Sequence, residues 1–258
     1  MKTIEESVVD ALDGSDKDLF PFLPYLLQDL WEIGSDPDAI IKLIRKHCNN
    51  IAQLKVIDLG CGKGAVSVKV TKELGCTCYG IDAIPEFIEF AKQKTAEFKV
   101  NHLCKFETGD IREKVKELSG YDVIILGAIG PVFGDYFSTL STLGKCLNER
   151  DIFIIDDGYI NDNSDFDHPL MIKKANILQQ IEKAGMYLVE DDVMDRDKIK
   201  DSNDSIFVHL KKRCFELIEK FPDKQALFLD YINRQEIEND VLENNVIGTT
   251  MVIKKNRE

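Results

Sequence analysis

The sequence predicts an α/β fold, in which helices cover both faces of a doubly wound, largely parallel sheet. From residue 55 onwards, apolar β-branched runs alternate with segments of helical spacing. Runs such as VIIL and IFII lack polar alternation, which is typical of parallel strands buried on both faces. Strands and helices that alternate in this way form right-handed βαβ units.

Seven strand patterns, and the helical patterns between them, follow in order along the chain. The predicted strands cover 55–60, 77–82, 105–110, 121–128, 151–156, 185–194 and 248–256. The predicted helices between them cover about 63–75, 84–99, 111–118, 134–148 and 168–184. A seven-stranded sheet with helices on both faces is therefore expected.

Helices are also predicted before the first strand and before the last. An apolar helix is expected at about 19–32, and a second begins at Pro37 after an N-cap at Ser35 or Asp36. Between the last two strands, the charged segment 198–245 has helical spacing. This segment is either an extra packing layer or, together with the N-terminal helices, a roof over a ligand pocket at the strand ends.

These patterns divide the chain into three parts, a size that suits one large domain with a smaller cap. We predict an N-terminal helical cap at 1–50, a ligand-binding sheet domain at 51–197 and 246–258, and a helical insertion over the active site at 198–245.

Charge and cysteine content narrow the classes of function. The 258 residues include 33 Lys and Arg against 46 Asp and Glu, a net charge of −13, so nucleic acid is not expected as a partner. No apolar run approaches the roughly 20 residues that cross a bilayer, and no signal peptide is recognisable at the acidic N-terminus. Seven scattered cysteines fit free thiols, so a cytoplasmic location without a membrane partner is expected.

A glycine-rich turn follows the first predicted strand. In KVIDLGCGKGAVSVKV, glycines at 60, 62 and 64 permit positive φ angles and let the backbone approach a ligand closely. The same turn satisfies the dinucleotide pattern G-x-G-x-x-A through Gly60, Gly62 and Ala65. By itself the turn is compatible with more than one adenosine-containing cofactor.

Further candidate ligand contacts stand at the ends of later strands. Asp82 ends the second strand, where a carboxylate can accept hydrogen bonds from both ribose hydroxyls. Asp110 ends the third strand and could accept from an adenine amino group, with Ile111 beside the ring. The fourth strand ends in Gly127 and Ala128, whose small size leaves room for a ligand. Four such signals on successive strands predict one site at the carboxyl edge of the sheet.

Over about residues 34–195 and the final strand, the chain resembles the class I S-adenosylmethionine-dependent methyltransferases, in particular those that act on small molecules. VIDLGCGKG resembles the first motif of that family, GIDAIPEFIEFAK the second, ETGDI the third and YDVIILGAIG the fourth-strand motif. The resemblance implies a Rossmann-like sheet whose last strand, GTTMVIKKN, inserts antiparallel next to the edge strand. It also implies S-adenosylmethionine (SAM) as the cofactor and S-adenosylhomocysteine (SAH) as its product.

The same resemblance implies a role for each matched residue. It favours a sulfonium cofactor over a dinucleotide, which would leave Asp110 and the antiparallel ending unexplained. Along the cofactor, the implied contacts are Gly60, Cys61, Gly62 and Gly64 around the methionine part, Gly127 and Ala128 beside the sulfonium, Asp82 on the ribose, Ala83 and Ile84 beside the adenine, Asp110 on its amino group and Ile111 on its ring.

The expected reaction is methyl transfer to a small-molecule acceptor by in-line displacement, in which the protein orients the acceptor and excludes water. The end of the fourth strand lacks the N/D-P-P-Y/F signature of family members that methylate amides or adenine. It also lacks the carboxylate of metal-assisted members, so no metal is expected. The candidate bases are His168 and Tyr159, and the candidate acceptor contacts are Tyr25 and Trp31.

Two other functions stay open at this point. One is a SAM-binding protein without transferase activity, and the other is a methyltransferase whose acidic surface docks a basic protein. A roofed pocket of roughly 300–1,000 Å³ favours a small molecule, whereas an open groove favours a protein. The sequence makes no prediction of the acceptor's identity or of the oligomeric state.

Overall fold

The computed structural model describes residues 2–256, so Met1 and residues 257–258, at the outer ends of the predicted domains, lie outside it. The strands are β1 (Lys55–Leu59), β2 (Thr77–Asp82), β3 (Cys104–Thr108), β4 (Tyr121–Gly127), β5 (Leu147–Ile160), β6 (Met186–Val193) and β7 (Val246–Lys255). The α-helices are α1 (Ile4–Ala11), α2 (Leu23–Leu26), α3 (Pro37–His47), α4 (Ala65–Leu74), α5 (Pro85–Glu97), α6 (Ile111–Lys114), α7 (Tyr136–Leu143), α8 (Lys174–Lys183), α9 (Arg196–Lys220) and α10 (Gln225–Asn244).

The seven strands form one sheet in the order β3-β2-β1-β4-β5-β7-β6. Neighbours among β1 to β5 run parallel, whereas β7 lies antiparallel between β5 and β6. The predicted fold class, a mostly parallel seven-stranded sheet with an antiparallel last strand, is confirmed. The strand order reverses between β1 and β4, and open α/β sheets bind ligands at the carboxyl edge of such a switch point.

Helices bury both faces of the sheet, as the unbroken apolar runs predict. Alternation along β1 and β5 sends Ile57 and Phe153 to the face covered by α7 and α8. It sends Val56 and Ile154 to the opposite face, which α3 and α4 cover. Each of these four side chains is at most 1% exposed, so the central strands are anchored from both sides.

A third apolar core joins the N-terminal segment to the helices between β6 and β7. Buried side chains of α2, α9 and α10 meet there, together with Phe87 of α5. The ring of Phe22 packs edge-on against Phe228 at 5.0 Å and against Phe221 at 5.4 Å. The predicted cap and insertion therefore touch each other at one end of the sheet.

The N-terminal helices differ from the sequence prediction. The expected helix at 19–32 is instead a 3₁₀ turn at Lys17–Phe22 followed by the single turn of α2. Pro21 and Pro24 interrupt it because proline lacks an N–H donor. The preceding α1 begins with a capping box, in which Thr3 and Glu6 exchange side-chain and backbone hydrogen bonds.

Three boundaries later in the chain also differ. The predicted helix at 134–148 ends at Leu143, and the one at 168–184 begins only at Lys174. Strand β5 is longer than predicted because its second half, as far as Ile160, pairs with β7. Of the helices in residues 2–256, none combines the length and apolar character needed to span a membrane.

Candidate active site

A cavity opens at the carboxyl edge of the sheet, above the switch point. It holds about 1010 Å³ of empty space, counted out to its open mouth. The loops after β1, β2, β3 and β4 form one side, and α1 with the segment 31–35 forms the other. Its lining includes Gly60, Cys61, Gly62, Lys63, Asp82, Ala83, Ile84, Asp110, Ile111, Arg112, Gly127, Ala128, Ile129 and Val132 from the sheet loops, and Ile4, Ser7, Val8, Ala11, Leu12, Trp31, Glu32, Ile33 and Ser35 from the N-terminal part.

The topology brings together ten of the eleven predicted cofactor contacts in this lining, all except Gly64. They come from four loops that are up to 68 residues apart in sequence, from Gly60 to Ala128. Parallel strands explain the convergence, because their carboxyl ends all reach the same edge of the sheet.

The three glycines after β1 serve different purposes. All three adopt positive φ, at +74° for Gly60, +52° for Gly62 and +73° for Gly64. A Cβ on Gly62 would meet no atom within 4 Å, so this residue faces open space in the cavity. A Cβ on Gly64 would lie 2.6 Å from Phe106 Cζ and 2.8 Å from Ala91 Cβ. Gly64 therefore lets α4 pack closely on the sheet and on α5, and unlike the other predicted contacts it is not among the cavity-lining residues.

Asp82 is held in place by the backbone around it. Its Oδ2 accepts from the Gly62 N–H and its Oδ1 from the Ile84 N–H, both at 2.9 Å. A carboxylate has about four acceptor positions, so each oxygen keeps one towards the cavity. Burial raises the pKa of Asp82, and the backbone N–H donors oppose that shift.

A second carboxylate supports the turn from beneath. Asp58 is 3% exposed, and its Oδ2 accepts a hydrogen bond from Ser67 Oγ at 2.5 Å. Burial raises the pKa of Asp58 to about 6, and the nearby charge of Asp82 adds to this shift. The Ser67 bond ties the end of β1 to the first turns of α4, so it braces both sides of the glycine turn.

Asp110 has a partner that the sequence prediction did not include. Its Oδ1 accepts from the backbone N–H and Nε of Arg112, and its Oδ2 accepts from Nη2 at 2.7 Å and from Nε. This pair lowers the pKa of Asp110. Arg112 also donates from Nη1 to Ser7 Oγ and to the Lys2 carbonyl of the N-terminal segment. An adenine amino group at Asp110 would therefore have to share the carboxylate with Arg112.

The end of β4 is crowded by the segment before α3. A Cβ on Gly127 would lie 2.4 Å from Ser35 Oγ, and Ala128 holds a positive φ of +51°. Non-glycine residues with such φ cluster at functional sites. Behind Ser35, buried Asp156 accepts from the Asp36 N–H at 3.4 Å. Burial raises the pKa of Asp156 to about 7.

The structure separates the four candidate catalytic and acceptor residues. Of these, only Trp31 is among the cavity-lining residues within the described chain. His168 lies in the loop before α8, where its Nδ1 accepts from the Leu170 and Met171 N–H groups. That loop follows the long β5, and none of its residues is among those that line the cavity.

The two tyrosines are engaged elsewhere. Tyr159 is buried in the core beside α8 and donates to Asp191 Oδ2 at 2.9 Å. Tyr25 is 39% exposed and donates to Glu216 Oε2 at 2.7 Å on the outside of α9. Neither hydroxyl is in a position to act as a base in the cavity, because each is committed to a carboxylate outside it.

Sequence reasoning missed Lys63, Arg112 and helix α1. The T-x-x-E pattern at Thr3 to Glu6 is a capping box and could have indicated α1. Lys63 stands inside the glycine turn, but nothing in the local pattern distinguishes a buried lysine from a solvated one. Within residues 2–256, no group of three or more His, Cys, Asp or Glu side chains is arranged to hold a metal ion.

Comparisons with known proteins agree with the site. A family model described as "Methyltransferase domain" matches residues 51–209. Two crystal structures of SAM-dependent methyltransferases in complex with SAH are similar in fold. The one from Thiobacillus denitrificans has a TM-score of 0.71 at 19% identity, and the one from Geobacter sulfurreducens has 0.73 at 15%. Each match covers 92% of this chain and 98% of the other.

Curated relatives match over a shorter range. A ubiquinone biosynthesis O-methyltransferase from Rickettsia bellii is 33% identical over 91 residues, which is 33% of this chain and 34% of that protein. A tRNA (guanine(37)-N(1))-methyltransferase from Paramecium tetraurelia is 30% identical over 89 residues, 34% of this chain and 21% of that protein. The chain thus spans about a third or less of the length of the curated relatives it matches.

The family model covers more than half of the chain, and it begins just before β1 and ends within α9. It includes the glycine turn, both strand-end carboxylates and the end of β4. The chain therefore belongs to the methyltransferase-domain family, and its resemblance to the class I SAM-dependent methyltransferases is confirmed.

Proposed function

We propose that this protein is a SAM-dependent methyltransferase that acts on a small, largely apolar acceptor. The observation that carries the proposal is the cavity itself. Four strand ends supply its cofactor side, and apolar residues of the N-terminal part cover the other side.

The residues present fit the cofactor. Gly62 leaves open space where a side chain would stand, so the backbone of the turn is free to approach a ligand. Asp82 keeps one acceptor position on each oxygen, which suits the two adjacent hydroxyls of a ribose. Ile84 and Ile111 offer apolar contacts on either side of the expected adenine position.

The proposed reaction needs no nucleophile from the protein. When bound, SAM supplies a methyl group that its sulfonium charge has already activated for in-line displacement. The small residues at the end of β4 let Gly34 and Ser35 approach that position closely, and α1 with the segment 31–35 excludes water from it. Orientation of reactants in such a site is worth on the order of 7–11 kcal/mol.

The lining favours an acceptor without phosphate groups. Ile4, Val8 and Leu12 of the N-terminal part face the cavity, as do Ile129 and Val132 beyond β4. The two cations in the lining that the structure describes, Lys63 and Arg112, are already bound to protein oxygens. A net charge of −13 also opposes docking of a nucleic acid, although one curated relative modifies tRNA.

The test uses two measurements. Calorimetric titration with SAH checks cofactor binding, and a stoichiometry of one per chain is expected. SAM labelled in its methyl group is then incubated with the protein and, in separate samples, with a small-molecule extract, with total protein and with tRNA. Label is expected in an organic-extractable small molecule. Label in tRNA or in protein would overturn the acceptor class, and binding without any labelled product would favour a SAM-binding protein.

A further inference from the structure

Lys63 is a lysine buried within the glycine turn. Its side chain is 4% exposed, and its Nζ donates to the Leu27 carbonyl at 2.5 Å and to the Leu30 carbonyl at 2.6 Å. The ammonium also lies 4.9 Å from the ring centroid of Phe90 and 5.6 Å from that of Phe87. It therefore links three parts of the chain: the cofactor turn, the end of α2 and helix α5.

The backbone of Lys63 makes a reciprocal contact. Trp31 Nε1 donates to the Lys63 carbonyl at 3.1 Å. Three hydrogen bonds thus connect one residue of the glycine turn to residues 27–35, which we call the N-terminal wall. This wall supplies Trp31, Ile33 and Ser35 to the cavity.

The N-terminal wall then passes the end of β4. A Cβ on Gly34 would lie 3.0 Å from Ala128 Cβ, and Ser35 Oγ packs against Gly127. These are the residues that the family resemblance puts beside the sulfonium. The wall is therefore tied to the cofactor turn at one end and lies against the expected methyl position at the other.

Stability alone is a poor explanation for a lysine in this place. Burying an ammonium group is costly, and an apolar side chain of similar length would fill the same space without that cost. Burial lowers the pKa of Lys63 to about 8, and the charge of Asp29 offsets this shift only in part. What the ammonium supplies, and an apolar side chain would not, is a charged donor for the carbonyl groups of Leu27 and Leu30, which follow α2.

We infer that Lys63 is a positioning residue, which holds the N-terminal wall against the cofactor turn. The acceptor side of the site is thereby aligned with the donor methyl group. This inference rests on the proposed function, because that function assigns a donor side and an acceptor side to the cavity. The linkage itself rests only on the contacts of Lys63.

Trp31 is the only tryptophan of the chain, so its fluorescence reports directly on the N-terminal wall. The variants are Lys63→Met, which keeps length but removes the donors, and Lys63→Arg, which keeps a charged donor group. Lys72→Met, an exposed lysine on α4, is the matched control. For each variant, Trp31 emission, acrylamide quenching, the Kd for SAH and the urea transition are measured.

We expect Lys63→Met to shift Trp31 emission to longer wavelength, to increase its quenching and to weaken SAH binding about tenfold, since two charge-assisted hydrogen bonds are lost. Lys63→Arg should retain most of the wild-type emission, and Lys72→Met should retain all of it. Wild-type emission and quenching in Lys63→Met would overturn the inference. If Lys63→Met has no cooperative urea transition, Lys63→Arg decides: wild-type emission supports the inference, and exposed emission overturns it.

The two proposals fail in different ways. If the wild-type protein does not bind SAH, the proposed function fails, while the emission of the Lys63 variants still tests the linkage. If SAH binds the wild type and Lys63→Met with the same Kd and Trp31 is unchanged, the function stands and the role of Lys63 is wrong.

Discussion

Individual polar residues of this site are arranged by backbone hydrogen bonds before any ligand arrives. Asp82 accepts hydrogen bonds from two backbone N–H groups, one in the glycine turn and one at the start of α5. They fix the carboxylate where the carboxyl end of β2 meets the cavity. Pre-arranged acceptors lose little entropy on binding, so the contribution of Asp82 to cofactor affinity should be large for a single side chain.

Replacing Asp82 by alanine should weaken SAH binding by tenfold or more. The change would leave ribose hydroxyls without acceptors, which costs roughly 1–3 kcal/mol. Calorimetric titration measures the effect, with Asp82→Asn as the matched variant because it keeps one carbonyl acceptor and should bind with intermediate affinity. Equal affinity of wild type and Asp82→Ala would contradict the site assignment.

Asp156 should give the protein a pH-dependent stability. Its folded pKa of about 7 lies above the usual carboxyl value because of burial, so the protonated form is favoured in the folded state. Stability from this group is therefore fully present below its ordinary pKa of 3.8, is lost as pH rises from there to about 7, and does not change further above pH 7.

Replacing Asp156 by asparagine should remove this penalty, since asparagine is neutral at every pH in the range. We expect a gain in unfolding free energy of roughly 2–4 kcal/mol at pH 8 and less than half of that gain at pH 5, as measured in urea. Asp201→Asn, at an exposed position of α9, is the control. The same difference at both pH values would show that the charge of Asp156 is not the cause.

At the scale of elements, the five residues between β1 and α4 meet two structural requirements. One glycine opens the turn towards the cavity, and another allows α4 to approach Phe106 and Ala91. Both have positive φ, so the backbone alone does not distinguish them. The atoms around each glycine do distinguish them, and two matched substitutions test the difference in their roles.

Gly64→Ala should destabilise the fold by roughly 2–5 kcal/mol, which combines backbone strain with overpacking against a ring and a methyl group. Gly62→Ala should cost only the strain, about 1 kcal/mol, but should weaken SAH binding because the new methyl group enters the cavity. Urea unfolding and calorimetry give the two quantities for each variant. A Gly64→Ala protein of wild-type stability would refute the packing role.

At the scale of the whole molecule, two helical segments far apart in sequence form one body over one end of the sheet. The N-terminal segment and helices α9 and α10 share a core, and that core also includes Phe87 of α5. We propose that the predicted cap and insertion act as this single body. The N-terminal wall then depends on helices that begin more than 160 residues later.

Phe228→Ala should test this dependence. Phe228 is fully buried and packs edge-on against Phe22, so its truncation should cost about 3–5 kcal/mol. If the helical body and the sheet unfold together, Trp31 fluorescence and far-ultraviolet circular dichroism will follow one shifted urea transition. Leu229→Ala, at a neighbouring position that is 41% exposed, should shift it far less. Two separate transitions would mean that the bodies unfold independently.

The sequence by itself determined the parts of this protein that depend on local pattern. Apolar runs without alternation indicated the central strands, and their order predicted the parallel sheet. The glycine turn, Asp82 and Asp110 were recognisable because strand ends in such sheets meet at one edge. Those signals were sufficient for the fold class and for most of the cofactor side of the cavity.

Tertiary structure alone decided the contacts between distant segments. Whether Gly64 faces a ligand or a ring depends on Phe106, which lies on another strand. Lys63 is buried because the N-terminal wall covers it, and Arg112, which binds Asp110, also donates to Ser7 of α1, 105 residues earlier in the chain. The length of β5, which includes Tyr159, is set by its pairing with β7, and neither Tyr159 nor His168 in the loop that follows is among the cavity-lining residues. Such pairings arise from packing across the whole chain, and a local pattern of residue types carries no record of them.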